Sequence, residues 1–217
     1  MKKEDVLGSI RLFLALTVLL GGMYPLVVWA LGQAAFREKA NGSLLRMKEG
    51  AGAASDPFVG SALIGQSFVM PGHFHGRPSA AGNGYDATAS TGTNFGPTSK
   101  KLADSVTDAV KGVRADEGVT GPVPADSVTS SASGLDPHIS PEYARLQIAR
   151  VSRETHIPAG DLEALVARQT ARRFLGVYGE PRVNVLALNM EIDAKLGHPQ
   201  IAPTPTPTPA PTPSAAP

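Results

Sequence analysis

Cysteine is missing from all 217 residues. Disulfide frameworks, thiolate metal sites and cysteine nucleophiles are therefore excluded together, while the redox compartment stays undetermined. Neither charge is in excess: 20 Lys and Arg stand against 19 Asp and Glu, a net +1. With no strongly basic face and no acidic tail, the composition argues against a nucleic-acid partner. Two catalytic signatures are missing as well. There is no G-x-x-x-x-G-K-[ST] loop for an independent NTPase and no G-x-S-x-G elbow for a hydrolase serine.

Long apolar runs are scarce too, and the one present decides the organisation of the chain. LFLALTVLLGGMYPLVVWAL, Leu12 to Leu31, has 20 residues without a charge, about the 20 needed to cross a hydrocarbon core as a helix. It reads as a membrane span, with Tyr24 and Trp29 suited to an interface. A cleaved signal peptide is the competing reading, because Lys2 and Lys3 make a basic start and Gly32-Gln33-Ala34 resembles a small-x-small cleavage site. The run exceeds the 7–15 apolar residues of a usual signal core. Basic residues stand on both sides of it (Lys2, Lys3 and Arg11; Arg37, Lys39, Arg46 and Lys48), so charge alone sets no orientation. Pro25 after Gly21-Gly22 predicts a kink, with the freed carbonyl satisfied by a neighbouring helix or by local adjustment.

The span divides the chain into a short tail (1–11), the transmembrane helix (12–32), a Gly/Ala/Ser-rich connector (33–57), a soluble domain (58–196) and a Pro-rich tail (197–217) without an apolar face. Within the domain, FVGSALIGQSF predicts a strand with a turn or a second strand. The Gly72 to Pro97 region is dense in Gly, Ser, Thr and Pro, and a loop of that length in a compact domain points to function or to disorder. Its aromatics, Phe74, Tyr85 and Phe95, argue for order. A first helix is predicted from the spacing of Leu102, Val106, Val110 and Val113. A second starts at Ser140 as N-cap with Pro141 behind it, buries Ala144, Ile148 and Val151, and is stopped by Pro158. DLEALVARQTARRF makes a third, and RVNVLALN, apolar on both faces, reads as a buried strand. The fold class is α+β: a single N-terminal transmembrane helix followed by one small mixed domain.

Several clusters could carry chemistry. Ser133, Asp136 and His138 offer a nucleophile, a carboxylate and a base, the parts of a membrane-anchored hydrolase. Three residues within six positions rarely reach triad geometry, and Asp136-Pro137 serves equally as a turn start. His73 and His75 would share one face of a strand, as two metal ligands do, but further ligands are lacking. GNGYDA, Gly82 to Ala87, satisfies G-x-G-x-x-A without the strand and helix that a dinucleotide site requires. Arg77 could hold an anion, or could stabilise the loop through backbone carbonyls.

Taken in order, the N-terminal span, GSALIGQSF, GRPSA, TGTNFGP, VPADSVTSSASGLDPHISPEYARLQIARVS and GEPRVNVLALN resemble the C subunit of the bacterial Kdp potassium-transporting P-type ATPase, over roughly Gly8 to Asp193. His73, Thr91 and Ala132 depart from the family's more usual aromatic, glycine and glycine. The resemblance implies a non-catalytic accessory subunit of a high-affinity potassium uptake complex. Its N-terminus would be cytoplasmic and its main domain outside the inner membrane. Its partners would be a channel-like potassium-binding subunit and an ATP-hydrolysing subunit. It also implies a role in assembly and as a catalytic chaperone raising the ATP affinity of the pump subunit. No cofactor of its own is implied, only ATP contact through the complex, with Ser133, Gly134 and Gln147 as the nucleotide-contacting positions. Arg77, Ser79, Asn94 and Gly96 are the expected partner-facing loop positions. A stand-alone hydrolase built on Ser133 and His138 and a passive tethered domain are the other function classes.

Overall fold

A computed structural model describes residues 3–46 and 58–197. Residues 47–57 of the connector and 198–217 of the Pro-rich tail lie outside the described residues. The chain divides into two compact units, residues 1–44 and 45–217.

The first unit is one long helix. Helix α1 (Lys3–Val18) continues through a π-helical turn, Leu19–Met23, into α2 (Tyr24–Ala35), and Glu4–Ala35 is long and apolar enough to cross a membrane. Residues 3–11, read as part of a tail, thus supply its first turns. Pro25 has no N–H to donate and its ring crowds the carbonyl four residues back. The wider turn just before it absorbs both effects, with the Tyr24 N–H donating to the Leu19 carbonyl. That is the local adjustment expected of a membrane proline. Apolar side chains such as Leu12, Phe13, Leu20, Leu26, Trp29 and Leu31 are exposed all round the helix, a pattern suited to lipid rather than water. A single turn, α3 (Arg37–Ala40), follows.

At the boundary of the two units β1 (Leu44–Arg46) begins, and it forms a two-stranded sheet with β2 (Phe58–Ser61). After the long loop come α4 (Lys100–Glu117), β3 (His138–Ile139), α5 (Pro141–Thr155), α6 (Ala159–Gln169), β4 (Thr170–Ala171), β5 (Arg182–Asn184) and α7 (Val185–Leu196). Strand β5 lies between β3 and β4, antiparallel to both, with His138 opposite Asn184 and Ala171 opposite Arg182. The core is made from Ala144, Ile148 and Val151 of α5, Leu162, Leu165 and Val166 of α6, Val183 of β5 and Val185, Leu188 and Ile192 of α7. It is the stripe expected for α5, extended by α6 and joined by one on α7 that was not expected.

That last stripe corrects the reading of RVNVLALN as a strand. Only Arg182–Asn184 is extended, because the Asn184 side chain accepts from the Ala187 N–H and starts a helix. A short run apolar on both faces does not separate strand from buried helix by periodicity. The helical signal lay one turn further on, in Val185, Leu188, Asn189 and Ile192. Helix α6 also ends earlier than expected, at Gln169, since Thr170 and Ala171 pair with β5 instead of extending the helix to Phe174. Elsewhere the local signals hold: Ser140 accepts from the Tyr143 N–H with Pro141 behind it, and α4 follows Pro97 and Ser99.

Candidate functional site

The segment after Met70 has no strand partner, yet His73 and Phe74 are buried. Buried backbone groups need hydrogen bonds, and here side chains from two helices supply them. The Asn189 carboxamide of α7 accepts from the Phe74 N–H at 2.8 Å and donates to the Phe74 carbonyl at 2.9 Å. Gln147 of α5 treats the next residue alike, accepting from the His75 N–H at 2.7 Å and donating to its carbonyl at 3.1 Å. Two amides thus imitate a neighbouring strand.

Arg150, one turn after Gln147, completes the fastening. Its guanidinium donates to the carbonyls of Pro71 and His73, to Gln147 Oε1 and to Glu117 Oε1 at 3.0 Å. The Arg150–Glu117 pair is almost wholly buried and ties the end of α4 to α5. Burial raises the Glu117 pKa although Arg150 opposes it, and Glu117 Oε2 has no partner among the described residues. The two histidines part company. His73 Nε2 lies 2.8 Å from Asp193 Oδ1, while the His75 ring faces the Met70 carbonyl at 3.3 Å. Burial, then the positive charge of Arg150, lowers the His75 pKa to about 4. Among the described residues no cluster of three His, Asp or Glu could hold a metal.

Further along, the loop lies on the Ser130–Ser140 turn. Arg77 bonds Asp136 Oδ2 at 2.9 Å and the carbonyls of Thr129 and Ser130. Burial alone would raise the Asp136 pKa, but hydrogen bonds from His138 and then Arg77 hold it down at about 2. Ser79 donates to the Gly134 carbonyl at 2.7 Å and accepts from the N–H groups of Ala81 and Tyr85. Burial pushes the Tyr85 phenol up to about 12, and its hydroxyl donates to the Arg77 carbonyl. Gly134 is needed twice over: its φ is +68°, and a Cβ there would stand 2.6 Å from Ala81 N and 2.8 Å from the Thr91 carbonyl. The Ala132 methyl is tolerated because Ala132 is exposed, while a Cβ at Gly92 would stand 2.8 Å from the Ala132 carbonyl oxygen.

The positions singled out in the sequence therefore fall in different places. Ser133 is exposed, and its hydroxyl accepts from the Leu135 N–H at 3.1 Å and meets Ser131 Oγ. It makes no hydrogen bond to His138, whose Nδ1 lies 3.5 Å from Asp136 Oδ1. The nucleophile-to-base link of a hydrolase is thus not formed. Gln147 has no exposed surface, and both ends of its amide are engaged. Arg77 and Ser79 are engaged within the chain, whereas Asn94, with φ +52°, and Gly96 are exposed. GNGYDA is an irregular turn with positive φ at Gly82, Gly84 and Tyr85. Sequence reasoning missed Arg150, Glu117, Asn189 and Asp193. Asn189 and Asp193, four apart within an apolar run, would have pointed inward had the helix been recognised.

These features define the class: a membrane-anchored chain with one extracytoplasmic α+β domain, in which a long loop is fixed to the core from beneath. Comparison with known proteins then places it. The family described as K+-transporting ATPase, c chain, matches residues 6–194, and the chain belongs to that family. It is 46% identical over 203 residues to the potassium-transporting ATPase KdpC subunit of Koribacter versatilis, covering 94% of this chain and 99% of that one. The corresponding proteins of Caulobacter vibrioides and Gemmatimonas aurantiaca are 50% and 51% identical over 193 and 181 residues. Those alignments cover 88% and 83% of this chain, and 92% and 87% of the relatives. The chain is thus an inner-membrane subunit of a potassium-transporting P-type ATPase.

Proposed function

We propose that the chain is a non-catalytic accessory subunit that holds a channel-like potassium-binding subunit and an ATP-hydrolysing subunit in one assembly, and thereby raises the ATP affinity of the latter. The family match across residues 6–194 carries this reading. The site's construction supports it: Gln147, Asn189 and Arg150 fix the backbone of the loop, which leaves Asn94, Phe95 and Gly96 on the outside. Preorganisation of this kind lowers the ordering cost of docking.

The engaged amide of Gln147 favours an effect on ATP affinity transmitted through the assembled subunits over direct nucleotide contact at Ser133, Gly134 and Gln147. The test is a gentle-detergent pull-down of the full-length chain from cells expressing the whole complex, beside the same chain without Leu12–Leu31, with the ATP concentration dependence of potassium-stimulated hydrolysis measured on each preparation. Recovery of both partners, lost with the span, and a lower half-saturating ATP concentration when the chain is present are expected. A chain recovered alone, or an ATP dependence indifferent to it, would reject the corresponding half of the proposal.

A further inference from the structure

A cavity of about 690 Å³ lies beside the clamp, among the segment 67–79, the turn at Gly84 and Tyr85, the end of α4 and helix α5. Its volume is that of an ordinary small-molecule site. Tyr143 and Arg150 line it although each is only 4% exposed. The Tyr143 hydroxyl has no hydrogen-bond partner among the described residues, whereas a buried phenol normally finds one. Nor is it sealed in: the sealed side-chain atoms without a partner are Gln66 Oε1 and Glu117 Oε2. The hydroxyl therefore opens on the cavity.

Two lining neighbours also have capacity to spare. A guanidinium carries five N–H donors, and Arg150 spends four of them, on Glu117, Pro71, His73 and Gln147, which leaves one on Nη2. His75 donates from Nε2 to the Met70 carbonyl at 3.3 Å. Burial lowers its pKa to about 4, so at neutral pH the ring is uncharged and Nδ1 is left as an acceptor.

The charges around these groups exclude the simplest ligands. Arg77, Arg150 and Arg153 line the cavity together with Asp116 and Glu154, and each arginine is already paired, with Asp136, Glu117 and Glu154 in turn. An anion would meet two carboxylates, and a cation three guanidiniums. An apolar ligand would leave the Tyr143 hydroxyl, the Arg150 N–H and His75 Nδ1 dry and unpaired. A ligand hydroxyl both donates and accepts. Several hydroxyls on one small ring can answer all three groups at once, and the CH faces of such a ring suit the aromatic walls supplied by Phe68 and Tyr85.

The geometry points to this cavity as a binding site for an uncharged pyranose sugar, held by the Tyr143 hydroxyl, the remaining Arg150 N–H and His75 Nδ1. The site does not depend on the subunit reading above. The test uses the isotope-labelled full-length chain in an amine-oxide detergent, because a maltoside headgroup is itself a sugar. Glucose, galactose and N-acetylglucosamine are titrated to millimolar concentration, and the readouts are saturation transfer to the sugar and the amide shifts of Gly76 and Gly84. Transfer to at least one sugar, with both amides moving, is expected. Tyr143→Phe should weaken that binding about fivefold, the scale of one hydrogen bond. Its melting midpoint should not change, since the lost hydroxyl bonds nothing within the chain. Absence of transfer to all three sugars would overturn the proposal, as would binding that Tyr143→Phe leaves intact or shifts confined to amides away from the cavity. Inorganic phosphate, titrated in the same way, should move neither amide. Shifts with phosphate and none with sugar would make the cavity an anion site and reject the sugar.

Discussion

At the scale of single residues, the loop depends on side chains doing backbone work. Gln147→Ala removes both partners of His75 and an acceptor of Arg150. Leaving buried polar groups unpaired costs about 1–3 kcal/mol apiece, so urea unfolding should show a loss of about 3 kcal/mol. Survival of the midpoint within error would mean that water replaces the amide. His75 gives the domain a pH dependence of definite sign. Its folded pKa, about 4, lies below the ordinary value of 6.5, so the folded form prefers the neutral ring. The associated stability is present above pH 6.5 and is lost as pH falls towards 4, amounting to about 2 kcal/mol once partial screening is allowed for. Glu117, with its raised pKa, acts in the opposite sense over acid pH. The measurement is therefore the difference in unfolding free energy between the parent and His75→Gln across that window. A flat difference would remove His75 from the account.

Among elements, the start of α5 decides whether Gln147 and Arg150 face the loop. Ser140 accepts from the Tyr143 N–H at 3.0 Å and donates to Asp126 Oδ1 at 2.9 Å, so one hydroxyl caps the helix and pins it to the preceding turn. Ser140→Ala should lower stability by about 1–2 kcal/mol and speed amide exchange in the first turn of α5 and in Phe74 and His75 together. If exchange rises in the helix alone, cap and loop are not coupled. This helix was legible in advance because Ser140, Pro141 and the spacing of Ala144, Ile148 and Val151 are all local. The strand expected at RVNVLALN was not, because Val183 and Val185 are buried on either side of the residue at which the backbone changes from extended to helical. A single asparagine, Asn184, makes that change.

For the whole molecule, anchor and domain are separate compact units, and the domain's large buried side chains lie within residues 68–192. Removal of Leu12–Leu31 should therefore release the chain from the membrane fraction while the domain melts within about 1 °C of its parent, less than the roughly 2–4 °C that a 1 kcal/mol change produces in a domain of about this size. A domain that aggregates or loses its cooperative transition would show that the span contributes to its fold.

The sequence by itself determined the anchor, the starts of α4 and α5 and the order of parts, because each follows from composition or periodicity within a few neighbouring residues. The family resemblance rested on the same linear order of motifs. Only the tertiary structure decided what the motif residues do. Gln147 reaches back 72 positions to His75 and Asn189 reaches back 115 to Phe74. Which buried backbone groups lack partners is settled only after the chain has packed. That is why Ser133, Asp136 and His138, adjacent in sequence, assemble no catalytic relay, while Arg150, Glu117 and Asn189, far apart and without a motif, form the clamp that shapes the surface.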